Sequence, residues 1–296
     1  MIGELSAVSW CVFVGGLFVA SLYIWWKDRY GSIESDPVIA RHRTISVCGA
    51  SVVSVILLRI LCAKYELAAG SAEFLSFMGV RPGLSMLSSC AVVAALTLIM
   101  FVGPLVMNIV NGYTIIDKYS YRTISYFSKD FLAALPQIAH ELKDSRMFWA
   151  SIVVGPITEE IVYRACMCPV LKAAGFGNLF CCMIPPLCFG FAHLHHFVHN
   201  VQVMPLSQAV FTTVLQLSYT TVFGAFSCFV YLRTGHLAAC ITTHTICNAF
   251  GFPDFETLAE HEHRTPLLIV FITGVVLFFS LLFPLTDPSL FSSSMW

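Results

Sequence analysis

Charged side chains are scarce in this sequence. Asp, Glu, Lys and Arg make up 11% of the 296 residues, while hydrophobic residues make up 57%. Soluble domains carry about 25% charged residues, so a soluble globular protein is excluded. The net charge of −1 provides no basic surface, and no nucleic-acid partner is expected. The composition predicts an all-α polytopic membrane protein, a single integral-membrane domain over residues 1–296 with the lipid bilayer around it.

Several familiar catalytic and metal-binding motifs are also absent. No HExxH segment is present, as a common type of zinc protease would require, and no GxSxG segment marks a serine nucleophile. The twelve cysteines form no CxxC…CxxC pattern, and most lie in apolar runs, where cysteine behaves as a small buried hydrophobe. Neither a metal nor another cofactor is therefore expected.

The apolar runs are long enough to cross a hydrocarbon core of about 30 Å. Eight are found, which predicts about eight transmembrane helices: 6–26, 44–63, 84–110, 147–171, 176–195, 206–232, 236–252 and 266–285. The first run lacks a basic leader and is interpreted as a retained span rather than a signal peptide. Gly103-Pro104 should kink the third. The polar stretch 111–146 is amphipathic and is predicted to lie at the membrane interface.

Loop charges predict the orientation of the bundle. With eight spans, ten Lys and Arg fall on one side: Lys27, Arg29, Arg41, Arg43, Lys118, Arg122, Lys129, Lys143, Arg146 and Arg264. Four fall on the other: Lys64, Arg81, Lys172 and Arg233. The side with ten should face the cytosol.

Three charges interrupt the apolar run 147–171: Glu159, Glu160 and Arg164. One charge at the centre of a membrane helix costs roughly 2.5–3.5 kcal/mol, so these three must face other helices or a wet cavity. On an α-helix Glu160 and Arg164 share a face and should form an ion pair. Glu159 points about 100° away and remains available as a base. The alternative is an ion-pair network that only joins helices.

Two later spans each carry a histidine motif. Phe189 and His193 are four residues apart, as are His244 and Asn248. The alternative for the second pair is an interhelical hydrogen-bond clamp. The next three histidines are expected on a solvated interfacial face: His195, His196 and His199.

Span counting places Glu159, His193, His244 and Asn248 together in the cytosolic half of the bundle. A carboxylate paired with an imidazole can deprotonate water, and His and Asn side chains can donate hydrogen bonds to an oxyanion. These residues are therefore the predicted catalytic set of a metal-free hydrolase.

In chain order, the motifs EExxxR, FxxxH and HxxxN resemble those of the type II CAAX prenyl endopeptidases, the Ras-converting intramembrane proteases of the glutamate type. The resemblance covers residues 154–253, where the segments Gly-Pro-Ile-Thr, Ala-His-Leu-His-His and Asn-Ala-Phe-Gly-Phe-Pro are similar to the eukaryotic branch. The segment 77–81 is similar to a short turn that precedes a span in that family.

The resemblance implies that Glu159 and His193 activate the water, and that His244 and Asn248 form the oxyanion hole. Glu160, Arg164 and Phe189 would support the site. The implied reaction removes the C-terminal aaX tripeptide from proteins whose CAAX cysteine carries a farnesyl or geranylgeranyl group. The implied partners are prenylated CAAX proteins such as Ras-type small GTPases. The implied location is the endoplasmic reticulum membrane, with a multi-pass chain and the site facing the cytosol.

Two other functions are open from the residues alone. One is a zinc-dependent intramembrane protease, since Glu and His are zinc-ligand types. The other is a proton-coupled membrane carrier in which Glu159, Glu160 and the histidines relay protons. The chain lacks the inverted repeats or paired broken helices typical of such carriers.

Overall fold

The computed structural model describes residues 2–25, 37–111 and 148–296, and within these residues the secondary structure is helical, with no strand. Apart from Asn111, the predicted interfacial connection 111–146 lies outside the described residues. The α-helices are α1 (Glu4–Ser21), α2 (Pro37–Tyr65), α3 (Ser71–Phe77), α4 (Leu84–Met100), α5 (Val102–Val110), α6 (Gly155–Glu160), α7 (Cys168–Ala173), α8 (Asn178–Cys181), α9 (Ile184–Ala192), α10 (His195–Val203), α11 (Leu206–Thr234), α12 (Leu237–Phe250), α13 (Phe255–Glu260), α14 (Arg264–Leu285) and α15 (Pro288–Phe291). Two π-helices flank α6, namely π1 (Trp149–Val154) and π2 (Ile161–Ala165).

Within the described residues, five helical segments are long and apolar enough to cross a membrane: Glu4–Ser21, Val38–Tyr65, Asn178–Val203, Leu206–Thr234 and Arg264–Leu285. A sixth results if α4 and α5 form one bent span. Each overlaps an apolar run predicted from the sequence, so the helical membrane bundle is confirmed. The count of eight is not confirmed. The predicted span 236–252 is the 14-residue helix α12, and 148–171 is divided into short segments.

The predicted kink in the third span is confirmed as a 59° bend between α4 and α5. Pro104 has no N–H for the carbonyl of Met100, and its ring crowds that carbonyl, so the helix breaks before it resumes. Helix α14 packs closely against this bend. A Cβ placed on Gly274 would lie 2.6 Å from the Ile99 carbonyl oxygen, so only a glycine fits there.

Small residues also let α9 and α11 pack closely. A Cβ on Gly224 would lie 3.0 Å from Pro186 Cα, and Gly190 has no room for one beside Thr221. Close backbone approach at small residues is the common way for membrane helices to associate. This contact holds Phe189 of α9 against the helix that carries Ser227.

Seven of the twelve cysteines are buried and Cys48 is exposed, so the prediction that most of them are small buried hydrophobes is confirmed. All twelve are free thiols, and several are fully buried in the main apolar cluster, including Cys166, Cys168, Cys228 and Cys240. The same cluster contains Tyr163 and Phe189. The charged residues Glu160 and Arg164, both fully buried, are therefore surrounded by apolar packing.

Candidate active site

The segment that carries the two glutamates is irregular because of a proline. Pro156 has no N–H to offer the carbonyls of the preceding turn. Two of those carbonyls find donors on α12: Thr245 Oγ1 donates to the Ile152 carbonyl at 3.1 Å, and Asn248 Nδ2 donates to the Ser151 carbonyl at 2.9 Å. The span predicted over 147–171 is not confirmed as one regular α-helix, since its described part is divided among π1, α6, π2 and α7. Helix α12 docks against π1 through these two hydrogen bonds.

The second irregularity follows the glutamates. The Cys166 N–H donates to the Ile161 carbonyl five residues earlier, at 2.9 Å, which is the π-helical pattern. π-Helical turns within α-helices are frequent at functional sites. Glu159 and Glu160 therefore end a short α-helix that has a π-helix on each side.

The predicted ion pair between Glu160 and Arg164 is present. Arg164 Nε lies 3.1 Å from Glu160 Oε2, and both side chains are fully buried. The contact is electrostatic rather than a well-directed hydrogen bond, since Arg164 Nε has no hydrogen-bond partner within the described residues. Ser227 Oγ donates to the same carboxylate oxygen at 2.8 Å. The pair is thus anchored to α11.

Aromatic rings complete the surroundings of Arg164. Its guanidinium carbon lies 4.8 Å from the centroid of Phe189 and 5.7 Å from that of Phe223. A desolvated cation over an aromatic face gains up to ~2 kcal/mol. Phe189, which the sequence indicated only through its spacing to His193, therefore also supports the buried arginine.

His244 lies between the two glutamates. Its Nδ1 is 2.7 Å from Glu160 Oε1, and its Nε2 is 3.5 Å from Glu159 Oε2. An ionised carboxylate only accepts hydrogen bonds, so the Nδ1 carries the proton of this contact. The Glu160 carboxylate thereby fixes the orientation and tautomer of the imidazole, as a carboxylate does in a catalytic triad.

Glu159 differs from its neighbour in exposure. Its side chain is 24% exposed, whereas that of Glu160 is 0% exposed. It lines a cavity of about 150 Å³ whose walls come from α1, α2, the π1 to π2 segment and the end of α9. Glu159 is therefore the carboxylate of the pair that a water or substrate in the cavity can reach.

His193 lines the same cavity. Its Nδ1 lies 2.8 Å from the Phe189 carbonyl oxygen. A carbonyl can only accept, so Nδ1 bears the hydrogen and the neutral ring keeps Nε2 as an acceptor. His244 and Asn248 are not among the described residues that line the cavity; His244 reaches it through Glu159.

The expectation that the following histidines lie on a solvated face was wrong for two of them. His195 and His196 are half-buried and line the cavity. His195 Nδ1 donates to the Ala192 carbonyl at 2.7 Å. Helix α9 ends at Ala192 and the chain turns into α10, which brings these rings back toward Glu159.

Two polar residues of the site were missed from the sequence: Ser227 and Tyr163. Nothing in the spacing around Ser227 distinguishes it. Tyr163 follows Glu159 by four residues, the same spacing that linked Glu160 to Arg164, and that signal could have identified it. Across residues 2–25, 37–111 and 148–296, no group of three or more His, Cys, Asp or Glu is arranged to hold a metal ion.

A helical membrane bundle with two carboxylates, a buried arginine and two histidines beside one cavity has the composition of a membrane-embedded hydrolase. Residues 142–250, which include the whole cluster, match the family model described as Type II CAAX prenyl endopeptidase Rce1-like. The chain is 32% identical over 294 residues to CAAX prenyl protease 2 of Homo sapiens, covering 96% of this chain and 82% of the human protein.

Two further relatives have the same name as the human protein, one of them marked as probable. Identity is 30% over 279 residues to the Probable CAAX prenyl protease 2 of Schizosaccharomyces pombe, covering 93% of this chain and 92% of that protein. It is 33% over 209 residues to CAAX prenyl protease 2 of Arabidopsis thaliana, covering 67% and 64%. No solved structure matches the chain. The chain belongs to the type II CAAX prenyl endopeptidase family and is a protease of that type.

Proposed function

We propose that this protein removes the C-terminal aaX tripeptide from prenylated CAAX proteins by metal-free activation of water. The observation that carries the proposal is that the two glutamates differ in their contacts and in their exposure. Glu160 pairs with Arg164 and accepts hydrogen bonds from Ser227 and His244. Glu159 is exposed to a cavity that His193 also lines. Family membership supports the same reaction.

The proposed chemistry begins with water in the cavity. Glu159 takes a proton from the water, and the Nε2 of His193 accepts a second hydrogen bond from it and orients it. The water oxygen attacks the scissile carbonyl and forms a tetrahedral oxyanion. Glu159 then gives its proton to the leaving amine, and the peptide bond breaks. Proton number is balanced, and no cofactor takes part.

His244 and Asn248 are the proposed oxyanion-hole residues. Glu160 accepts from Nδ1 and orients the His244 ring so that Nε2 faces Glu159. To donate to the oxyanion, the ring must carry a proton on Nε2 as well as on Nδ1. One N–H of the Asn248 amide is used by the Ser151 carbonyl, which leaves its second N–H for the oxyanion. Arg164 and Phe189 hold these groups by charge and by packing.

The membrane setting fits a lipidated substrate. Apolar residues of α1, of the turn that follows it and of α2 line the cavity: Phe18, Val19, Leu22 and Val47. A prenyl chain dissolved in the bilayer can bring the scissile bond laterally to such a wall. The proposed location is the endoplasmic reticulum membrane with the site facing the cytosol, and the proposed partners are prenylated CAAX proteins such as Ras-type small GTPases. The proposed unit is one integral-membrane domain over 1–296, with its catalytic core in 154–253.

Purified full-length protein in lipid nanodiscs, given a farnesylated CAAX peptide, tests the proposal. Mass spectrometry should detect the released tripeptide, the unprenylated peptide should react far more slowly, and chelators should leave the rate unchanged. Glu159→Gln should abolish release, while Glu256→Gln, at an exposed position of α13, should not.

Wild-type activity in Glu159→Gln would refute the role of Glu159. Loss of activity on chelation, with recovery on adding zinc, would replace the metal-free mechanism with a zinc-dependent one. No cleavage of the farnesylated peptide by the wild type would refute the substrate class itself.

A further inference from the structure

Arg43 is a cation of the cavity that the proposed chemistry does not use. It lines the cavity together with Glu159 and His193, and among the described residues of the wall it is the only Lys or Arg. Its side chain is half-buried, and it belongs to the segment Val38–Tyr65, which is long and apolar enough to cross a membrane. An ionisable residue in such a segment commonly marks the path of a substrate.

The depth of Arg43 relative to Glu159 follows from one contact between helices. Ser51 Oγ of α2 lies 3.3 Å from the carbonyl oxygen of Thr158, the residue before Glu159, and donates to it. Helix α2 therefore passes the glutamate at the level of Ser51. Arg43 precedes Ser51 by eight residues, which is ~12 Å along the helix axis at 1.5 Å per residue. Val47 lines the cavity between these two levels.

The proposed substrate carries a negative charge at a matching distance from its scissile bond. Because three residues are released, the free C-terminal carboxylate lies three residues beyond the scissile carbonyl. An extended tripeptide spans ~10–11 Å at 3.3–3.6 Å per residue, close to the ~12 Å between Arg43 and the level of Glu159. A carboxylate that enters the cavity beside Glu159 needs a cation, because an unpaired charge away from water is costly. The planar guanidinium of arginine fits both oxygens of a carboxylate.

We infer that Arg43 binds the C-terminal carboxylate of the substrate and thereby sets the cleavage position three residues from the chain end. The inference rests on the proposed function, since it assigns a contact to the tripeptide that leaves. A guanidinium has five N–H donors, so Arg43 can hold a carboxylate through two of them and still make a contact within the protein. Arg43 touches no reacting atom and adds no step to the chemistry; it is a substrate-binding residue that determines specificity.

The test gives two substrates to the full-length protein in nanodiscs: a farnesylated CAAX peptide with a free C-terminal carboxylate, and the same peptide ending in a carboxamide. For the wild type, kcat/KM should be roughly 10–100-fold lower with the carboxamide, the usual effect of losing hydrogen bonds between charged groups. Arg43→Met should lower kcat/KM for the carboxylate peptide by a similar factor and should no longer distinguish the two peptides. Arg43→Lys should keep part of the preference, because the charge remains without the planar fork.

Arg41→Met is the matched control. Arg41 lies on the same helix at an exposed position and is not among the described residues that line the cavity. This variant should therefore keep both the wild-type rate and the preference for the carboxylate peptide.

A peptide extended by one residue at its C-terminus gives an independent readout. Its carboxylate lies ~3.3 Å further from the scissile carbonyl, so the wild type should cut it slowly, whereas Arg43→Met should cut both lengths at the same rate.

Equal turnover of the carboxylate and carboxamide peptides by the wild type would overturn the inference without any variant. A preference that survives in Arg43→Met, or that is lost equally in Arg41→Met, would also overturn it. If Arg43→Met does not fold, an undiminished preference in Arg43→Lys would do the same. Failure of the wild type to cleave any of the peptides would instead refute the proposed function, so the two failures are distinguishable.

Discussion

Replacing Arg164 by methionine should destabilise this protein while leaving a folded fraction to measure. Methionine keeps much of the length of the side chain but leaves the carboxylate of Glu160 buried without its cation. Breaking a buried pair in this way costs about 3–5 kcal/mol. Glu160 keeps hydrogen bonds from Ser227 at 2.8 Å and from His244 at 2.7 Å. We therefore expect a loss of unfolding free energy at the lower end of that range, about 3 kcal/mol.

The cysteines make the measurement possible. Cys168, Cys228 and Cys240 are fully buried free thiols, and a thiol-reactive fluorophore will label them only as the protein unfolds. At an unfolding entropy of about 2.1 cal/mol/K per residue, a loss of about 3 kcal/mol corresponds to a decrease in Tm of roughly 5 °C for this chain of 296 residues. Arg264→Met, at an exposed position, is the matched control and should shift Tm little.

A double-mutant cycle separates the pair from its surroundings. Glu160→Gln combined with Arg164→Met removes both charges, so the double variant should be more stable than Arg164→Met alone. Two results would contradict this reasoning: Arg164→Met has the same Tm as the Arg264→Met control, or the effects of the two substitutions on the free energy of unfolding are additive. Either would show that Arg164 does not neutralise Glu160.

Three further predictions follow from the packing. Gly274→Ala would place a methyl group 2.6 Å from a backbone carbonyl of α4, so it should lower Tm by an amount equivalent to ~1–3 kcal/mol; an unchanged Tm would show that α14 does not pack at the bend. Thr245→Val removes the donor to the Ile152 carbonyl at 3.1 Å and should cost ~1 kcal/mol, whereas Thr245→Ser should restore it. The side chain and backbone of Thr257 donate to Asp254 and lower the pKa of that carboxyl below 3.8. Because the folded pKa is the lower one, the cap contributes above pH 3.8 and is lost as the pH falls through the folded pKa. The protection of the Thr257 amide from hydrogen exchange, relative to its intrinsic rate at each pH, should therefore fall only in acid, and Asp254→Asn should remove that pH dependence.

Features that depend on neighbours along the chain were predictable. The Glu160 to Arg164 pair follows from four-residue spacing on a helix, and the bend at Pro104 follows from a missing N–H and a ring clash. The long apolar helices follow from runs of uncharged residues. The span predicted over 147–171 is not a regular α-helix in its described part, although Pro156 was visible there. Helix propensity alone does not determine whether a carbonyl that Pro156 leaves without an N–H donor will accept a hydrogen bond from another helix.

The meeting of side chains from separate helices was decided by the tertiary structure. Motif spacing indicated that His244 belongs to the site, but only the docking of α12 puts its ring between Glu159 and Glu160. The same docking lets Asn248 donate a hydrogen bond to the Ser151 carbonyl. The turn after Ala192 brings His195 and His196 to the cavity. The physical reason is the separation along the chain between the residues that interact. Helix geometry relates residues within a turn, whereas the rotation and depth of one helix against another depend on packing summed over the whole bundle.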